Sequence, residues 1–389
     1  MIFTLEALNA GNGDSLILHY GESADPRFIL IDGGPTKGGY RNVIRPRLTE
    51  IKERFSDDAP LSLEMMMVSH IDDDHIDGLL ALTADMLERT QDGEEPPFVV
   101  RTLWFNSFDE LLGNDDEEVF STLTASVRAA GTDAPLPGFV TADRYGAAVV
   151  ASVGQGRRLR KDAEGLDIQL NAPFDGLVMV GAGADRLVDY GDGLQFTIVA
   201  PNEDRVRALQ KVWDDDVRAN PSGENLAAIA SAGGRDTSVA NLSSIVVLAE
   251  SAGKRMLLTG DALDVDIVAG LESAGLMDED RCHGDILKLP HHGSDRNVSA
   301  EFFAAVTADH YVVSGDGRHG NPEIHTLELV EASRGAGDDF RVHLTHRQGK
   351  EQLGERLDAF LADKPAARYV FRDDDALSVK VDLATAVDY

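Results

Sequence analysis

The chain has 389 residues, with 36 Lys and Arg against 68 Asp and Glu, and its net charge of −32 argues against broad electrostatic capture of nucleic acid, though not against a nuclease carrying bound cations. At 43% hydrophobic it can bury one large core or two ordinary ones, and its single cysteine, Cys282, excludes an intrachain disulfide and a Cys-rich zinc site, leaving His and Asp as metal ligands. No run reaches the roughly 20 apolar residues of a membrane span, and Met1 to Leu5 reads as strand and not signal peptide, so a soluble cytoplasmic protein without membrane contact is expected.

Ile2 to Leu8 and Leu16 to Tyr20 read as a hairpin around the Gly-rich turn Asn9-Ala10-Gly11-Asn12-Gly13-Asp14-Ser15. A third strand, Phe28 to Ile31, ends in Asp32-Gly33-Gly34-Pro35, where glycine permits a sharp turn just as a carboxylate is presented. Helical spacing over Val43 to Phe55 predicts a crossover helix, and Leu63 to Val68 predicts a buried strand. That strand delivers His70-Ile71-Asp72-Asp73-Asp74-His75, followed by the helix-like Ile76 to Leu82. Adjacent carboxylates repel in a solvated turn, whereas one or two divalent cations convert the repulsion into ligation. Polar groups at the C-terminal ends of strands that alternate with helices are the layout of an α/β active site.

Residues 92 to 193 read as an insertion, a wall or lid, within a single domain spanning 1 to 389. It holds the strand-like Phe98 to Phe105, an acidic patch at Asp115 to Glu118, and helices at Asp116 to Ala130 and Arg144 to Gly154. It also carries the basic strip Arg157-Arg158-Leu159-Arg160-Lys161, either a solvated loop or a candidate nucleic-acid contact. The core resumes with the strand Leu194 to Ala200, a helix over Arg205 to Asn220, and a loop over Pro221 to Ala240. Strands Ile245 to Leu248 and Arg255 to Leu258 follow, the second ending in Thr259-Gly260-Asp261. Asp285 to Pro290 runs into His291-His292-Gly293-Ser294, and His310 to Ser314 runs into a loop holding His319-Gly320-Asn321-Pro322. Taken alone, Asp32 or Asp261 would be a cap or turn residue, and His310, His325, His343 and His346 read as structural or exposed.

Together these clusters carry a family resemblance. His70-Ile71-Asp72-Asp73-Asp74-His75 resembles the His-x-His-x-Asp-His signature of the metallo-β-lactamase fold, with Asp72 in place of the second histidine. Asp32 and Thr259-Gly260-Asp261 match that fold's strand-end aspartates. Gly11-Asn12-Gly13-Asp14-Ser15, Leu287-Lys288-Leu289-Pro290-His291-His292-Gly293-Ser294 and His319-Gly320-Asn321-Pro322 look like the hydrolase domain of ComEC-type DNA-uptake proteins. The motifs occur in the expected order over most of the chain outside the insertion.

The resemblance implies an α/β fold, an αββα sandwich of the metallo-β-lactamase type with an inserted segment, and a dinuclear site at one sheet edge. Carried over, His70 and Asp72 would hold one metal, Asp74 and His75 the other, and Asp261 would bridge them. Either His291 or His292 would complete a shell. Asp32 and Asp14 would stand behind the ligands and orient them, while His319 would be a further ligand or a substrate-facing acid. Asp72 hardens one site, so the two divalent ions are expected to be Zn or Mn, with Mg or Fe also suited. No histidine precedes Asp261 where many superfamily members have a ligand; Asp236, Asn241 and Ser243 are nearest. The expected chemistry is attack by metal-activated hydroxide, with Asp74, Asp261 and His319 as catalytic groups. A phosphodiesterase or nuclease is the leading reading. Hydrolysis of a small ester, lactone or amide is the second, and a partner-gated or noncatalytic module the third. Oligomeric state is not legible.

Overall fold

The computed structural model describes residues 1–56, 59–107, 142–180, 186–212, 241, 243–335 and 337–389. The acidic patch at 115–118, the helix expected at 116–130, residues 213–220 of the next expected helix, the loop at 221–240 and Asp236 lie outside the described residues.

Among the described residues, fifteen strands form two sheets. The first takes β1 (Ile2–Leu8), β2 (Leu16–Glu22), β3 (Asp25–Ile31), β4 (Leu61–Met67), β5 (Phe98–Trp104) and β6 (Gln169–Leu170) in that order, with β15 (Ser378–Asp382) beside β1. The second runs, in reverse order from its far edge, through β7 (Leu187–Gly191), β8 (Leu194–Ala200), β9 (Val246–Ser251), β10 (Lys254–Leu258), β11 (Cys282–Lys288), β12 (Val306–Val313), β13 (Arg341–Leu344) and β14 (Tyr369–Phe371). β3, β4 and β5 are mutually parallel, as are β10 through β14.

The alternation of strand side chains makes the layers. Leu16, Leu18, Tyr20, Ile29, Ile31, Met65 and Met67 of the first sheet meet Ile198, Val247, Met256, Leu258, Ile286 and Val312 of the second in one buried core. The opposite residues of the first sheet, Ile17, Leu30, Met66 and Val68, pack under helices α1 (Arg45–Phe55), α2 (Asp73–Gln91) and α3 (Ala142–Gly165). After α4 (Glu203–Val212), the helices α5 (Asp264–Ser273), α6 (Ala300–Ala305), α7 (Ile324–Ser333) and α8 (Leu353–Leu361) bury Ile267, Phe302, Leu327 and Leu357 on the outer face of the second sheet. Helix, sheet, sheet, helix is the layering that the resemblance implies.

Two elements differ from the expectation. The helix expected over Arg144 to Gly154 extends from Ala142 to Gly165, so the basic strip is helical and not a loop. Leu159 and Ala163, four apart, are buried in the helix-side core, and Asp162 accepts a 2.9 Å hydrogen bond from Thr83 of α2. The span 92–193 also contributes β5, β6 and β7 to the two sheets. Among the described residues, no helix is long and apolar enough to cross a membrane.

Candidate metal centre

Parallel strands carry their C-terminal ends to one edge of each sheet, and the two edges meet. Asp32 follows β3, Ser69 and His70 follow β4 after Val68, Asp261 lies three residues beyond β10, and His291 and His292 follow β11. A main-chain hydrogen bond from Ile245 to the Ser69 carbonyl, 2.8 Å, ties the sheets together there.

Asp261 lies at the centre of the donors and is 1% exposed. Its Oδ1 is 3.4 Å from His75 Nε2, and its Oδ2 is 3.7 Å from His70 Nε2, 3.6 Å from His291 Nε2 and 3.7 Å from His292 Nε2. Asp74 adds Oδ2 at 3.6 Å from His292 Nε2, and Asp72 adds Oδ2 at 3.9 Å from His70 Nε2. These separations are long for hydrogen bonds. Two ligands about 2.1 Å from one tetrahedral ion lie about 3.4 Å from each other, which is the spacing seen. Buried His70 Nε2, His75 Nε2, His292 Nε2 and Asp261 Oδ1 have no hydrogen-bond partner among the described residues. Buried polar atoms are almost always paired, and four orphans converging on one point fit a cation.

The other ring nitrogen of each histidine is held in place. Asp32, 1% exposed, accepts from the Ser69 N–H at 2.7 Å, the Ser69 hydroxyl at 2.7 Å and His75 Nδ1 at 2.9 Å. Ser69 Oγ lies 3.1 Å from His70 Nδ1. Asn297 Oδ1 accepts from His291 Nδ1 at 2.8 Å while its Nδ2 donates to the Asp261 carbonyl at 2.9 Å. Asp14 Oδ1 lies 3.2 Å from His292 Nδ1. Each partner assigns the proton to Nδ1 and leaves the Nε2 lone pair for an ion.

Among the protein groups alone, the carboxylates and imidazoles of the cluster act on one another's charge. Burial would raise Asp261, but the four surrounding imidazoles hold it well below the usual carboxylate range. Burial lowers His75, yet Asp261 and Asp32 raise it well above an ordinary imidazole. His70 is driven down to about 3 by burial and by His75. Although a third of the Asp72 side chain meets solvent, crowding by protein and by Asp74 pushes it up to about 7. Asp72 stands at the N-cap position of α2 but makes no capping hydrogen bond. Of these groups, Asp72 and Asp74 are like charges held side by side, and a cation between them would relieve that repulsion.

Glycine lets the loops close around these donors. A Cβ at Gly13 would stand 1.9 Å from the Asp74 carbonyl oxygen, and one at Gly78 would stand 1.8 Å from the Gly33 carbonyl oxygen. His291 and His292 adopt φ of 45° and 56°, a left-handed backbone that is strained for residues with a Cβ.

Of the residues singled out in the sequence, His70, Asp72, Asp74, His75, Asp261 and both His291 and His292 converge, with Asp32 and Asp14 behind them. His319 does not join them: it is exposed on the loop after β12, with its main-chain N–H on Glu351 Oε1 at 3.0 Å. Asn241 lies 3.4 Å from His291 Nδ1, and Ser243 is buried. His310 and His343 pair with each other at 3.0 Å, away from the donors. In the basic strip, Arg160 donates to Ser107 at 3.0 Å and lies 5.9 Å over the Phe105 ring, while Arg158 and Lys161 are exposed. Ser69 and Asn297 join the site with no sequence signal beyond standing next to His70 and six residues after His291, whereas Lys288 lies within the motif that leads into His291-His292.

No family model and no curated protein matches the chain. Among solved structures, it is similar to a candidate metal-dependent hydrolase from Parabacteroides distasonis at 11% identity, covering 95% of this chain and 97% of that one, with a TM-score of 0.30. It is also similar to Zn-bound PqqB from Methylobacterium extorquens at 12% identity, covering 98% and 100%, with a TM-score of 0.38. A protein of unknown function from Enterococcus faecalis follows at 13% identity, 96% and 78% coverage and a TM-score of 0.26. With each TM-score below one half, the chemistry rests on the convergent donors.

Proposed function

We propose that the protein is a metal-dependent hydrolase of phosphodiesters. The observation that carries the metal centre is the set of buried, unpartnered Nε2 atoms around Asp261. Asp74, His75 and His292 would hold one divalent ion, His70, Asp72 and His291 the other, with Asp261 shared. Such ions supply positive charge for the attacked group and a water acidic enough to act near neutral pH. The protein's own part is to fix the imidazoles: Asp32, Ser69, Asn297 and Asp14 orient four rings with Nε2 inward. His319 is offered as the acid for the departing alkoxide, since its loop follows β12 at the same sheet edge.

The choice of a phosphodiester rests on the ComEC-like motifs. It gains support from α3, whose Gln155 donates to Asp73 at 2.7 Å and Asp77 at 2.9 Å, setting a helix with exposed Arg158 and Lys161 against the donor-bearing turn. The net charge of −32 favours the second reading, an uncharged ester, lactone or amide.

Metal analysis of wild type and Asp74→Ala, coupled to assays on bis-p-nitrophenyl phosphate, single- and double-stranded DNA and an uncharged ester, tests both. Diester hydrolysis that disappears in the variant together with bound metal is the expected result. Full metal occupancy in the variant would overturn the ligand assignment, and turnover of the uncharged ester alone would favour the second reading.

A further inference from the structure

Lys288 is the one lysine that is fully buried among the described residues. Burying an ammonium is costly unless it is paired and hydrogen-bonded, and Lys288 Nζ donates to Asp14 Oδ2 at 2.6 Å and to the Leu289 carbonyl at 3.0 Å. The other oxygen, Asp14 Oδ1, faces His292 Nδ1 at 3.2 Å. His292 Nε2 then emerges, unpartnered, 3.6 Å from Asp74 Oδ2 and 3.7 Å from Asp261 Oδ2. A continuous line runs from Lys288 through Asp14 and His292 into the candidate metal centre.

Two observations set this line apart from an ordinary buried ion pair. Asp14 brings a carboxylate oxygen within 4.8 Å of one ring nitrogen each of His75 and His292 and of an Asp261 carboxylate oxygen, so a modest shift would make it a competing ligand. Lys288 engages one of its oxygens instead. Moreover, Lys288 and His292 bracket the turn in which His291 and His292 hold left-handed backbones, so the pair with Asp14 braces the turn from its strand end.

Building on the metal-centre reading, we propose that Lys288 is a positioning residue. It holds Asp14 as the acceptor for His292 Nδ1–H and keeps that carboxylate from binding an ion, so that His292 presents Nε2 beside Asp74 and His75.

The test uses Lys288→Met and the double variant Asp14→Leu/Lys288→Met in the full chain. Stability is measured by denaturant in excess chelator, metal affinity by chelator competition with Zn²⁺ and Mn²⁺, and the His292 tautomer by imidazole ¹⁵N shifts. Removing both charges leaves none unpaired, and such replacements are often neutral or stabilising. The double variant is therefore expected to keep the apo stability lost in Lys288→Met. It should nevertheless bind one of the two ions about 10- to 100-fold more weakly, as loss of an outer hydrogen-bond partner does, and lose the Nδ1–H signature of His292. Wild-type affinity for both ions in the double variant would overturn the proposal and reduce the pair to a structural one. A wild-type protein that takes up no ion would instead overturn the metal-centre reading on which the proposal stands.

Discussion

Gly78→Ala sets two physical effects against each other within α2. Alanine in a helix interior is favoured over glycine by about 0.8–1 kcal/mol, so on propensity the variant should be more stable. The packing says otherwise. The new Cβ would lie 1.8 Å from the Gly33 oxygen, 2.6 Å from its carbonyl carbon and 3.0 Å from its Cα. Ordinary contact begins near 3.4 Å, so helix and turn would have to part by about 1.6 Å. Backbone cannot rotate away as a side chain can. The turn is also fastened where it would have to move, by Gly33 N–H to the His75 carbonyl at 2.6 Å and by Gly78 N–H to the Gly34 carbonyl at 3.2 Å. Overpacking of this kind costs about 1–3 kcal/mol, and rigid neighbours place it at the upper end, for a net loss of about 2 kcal/mol after the helix gain. Because Asp32 immediately precedes Gly33, the same movement lengthens its 2.9 Å bond to His75. Denaturant titration in chelator should therefore show a lower midpoint, and chelator competition a weaker metal affinity. A variant equal to or above wild type in stability, with unchanged affinity, would refute the reasoning.

Asp32→Asn should leave the fold largely intact, because an amide oxygen can still accept from the Ser69 N–H, but its NH₂ would face His75 Nδ1 and move the proton to Nε2. Metal affinity should drop about 10- to 100-fold by chelator competition; unchanged affinity would mean that Asp32 does not set the tautomer. Far from the centre, Glu6 is buried with Arg47 at 2.7 Å and His19 at 2.8 Å. Burial opposes its ionisation, yet His19 and Arg47 lower it from 4.5 to about 2, which corresponds to about 3 kcal/mol. That contribution is present above pH 4.5 and disappears as pH falls toward 2, so the stability gap between wild type and Glu6→Gln should shrink over that window; a constant gap from pH 7 to pH 2 would contradict it. Finally, stepwise metal addition to stripped protein should produce diester hydrolysis mainly with the second equivalent, and full activity at the first would deny the shared-site reading.

The layers and the donors were legible because each rests on a local pattern. Alternation in Leu16 to Tyr20 and a carboxylate or imidazole directly after an apolar run give strand and strand end, and the resemblance of the ordered motifs supplied the pairing of the sheets. The helical state of the basic strip was not legible because the force that carries α3 through Gly154 and Gly156 is tertiary: Leu159 and Ala163 seal against the core under α2. The choice between His291 and His292 was illegible because adjacent residues in a strand would point apart. Left-handed backbone at both turns the pair so that each Nε2 comes within 3.7 Å of Asp261 Oδ2. His319 sits in a similar histidine-bearing turn yet stays exposed, so the motif alone could not separate a ligand from a residue facing solvent.

Charge decides how many ions the centre must hold if its substrate is anionic. Asp14, Asp32, Asp72, Asp74 and Asp261 bring five negative charges when ionised, and Lys288 returns one, a net of −4 around four imidazoles. One divalent ion would leave −2 in the centre of a chain whose formal charge, these groups included, is −32, and a phosphodiester would approach against that field. Two ions, held by the residues proposed above, would bring the interior to neutrality and would supply positive charge for an anionic substrate. An uncharged ester meets no such barrier and could react with a single ion bound. The residues behind the ligands therefore bear on substrate choice as well as geometry: with Lys288 removed and Asp14 kept, even two ions would leave the centre at −1, and the anionic substrate would be disfavoured before the neutral one.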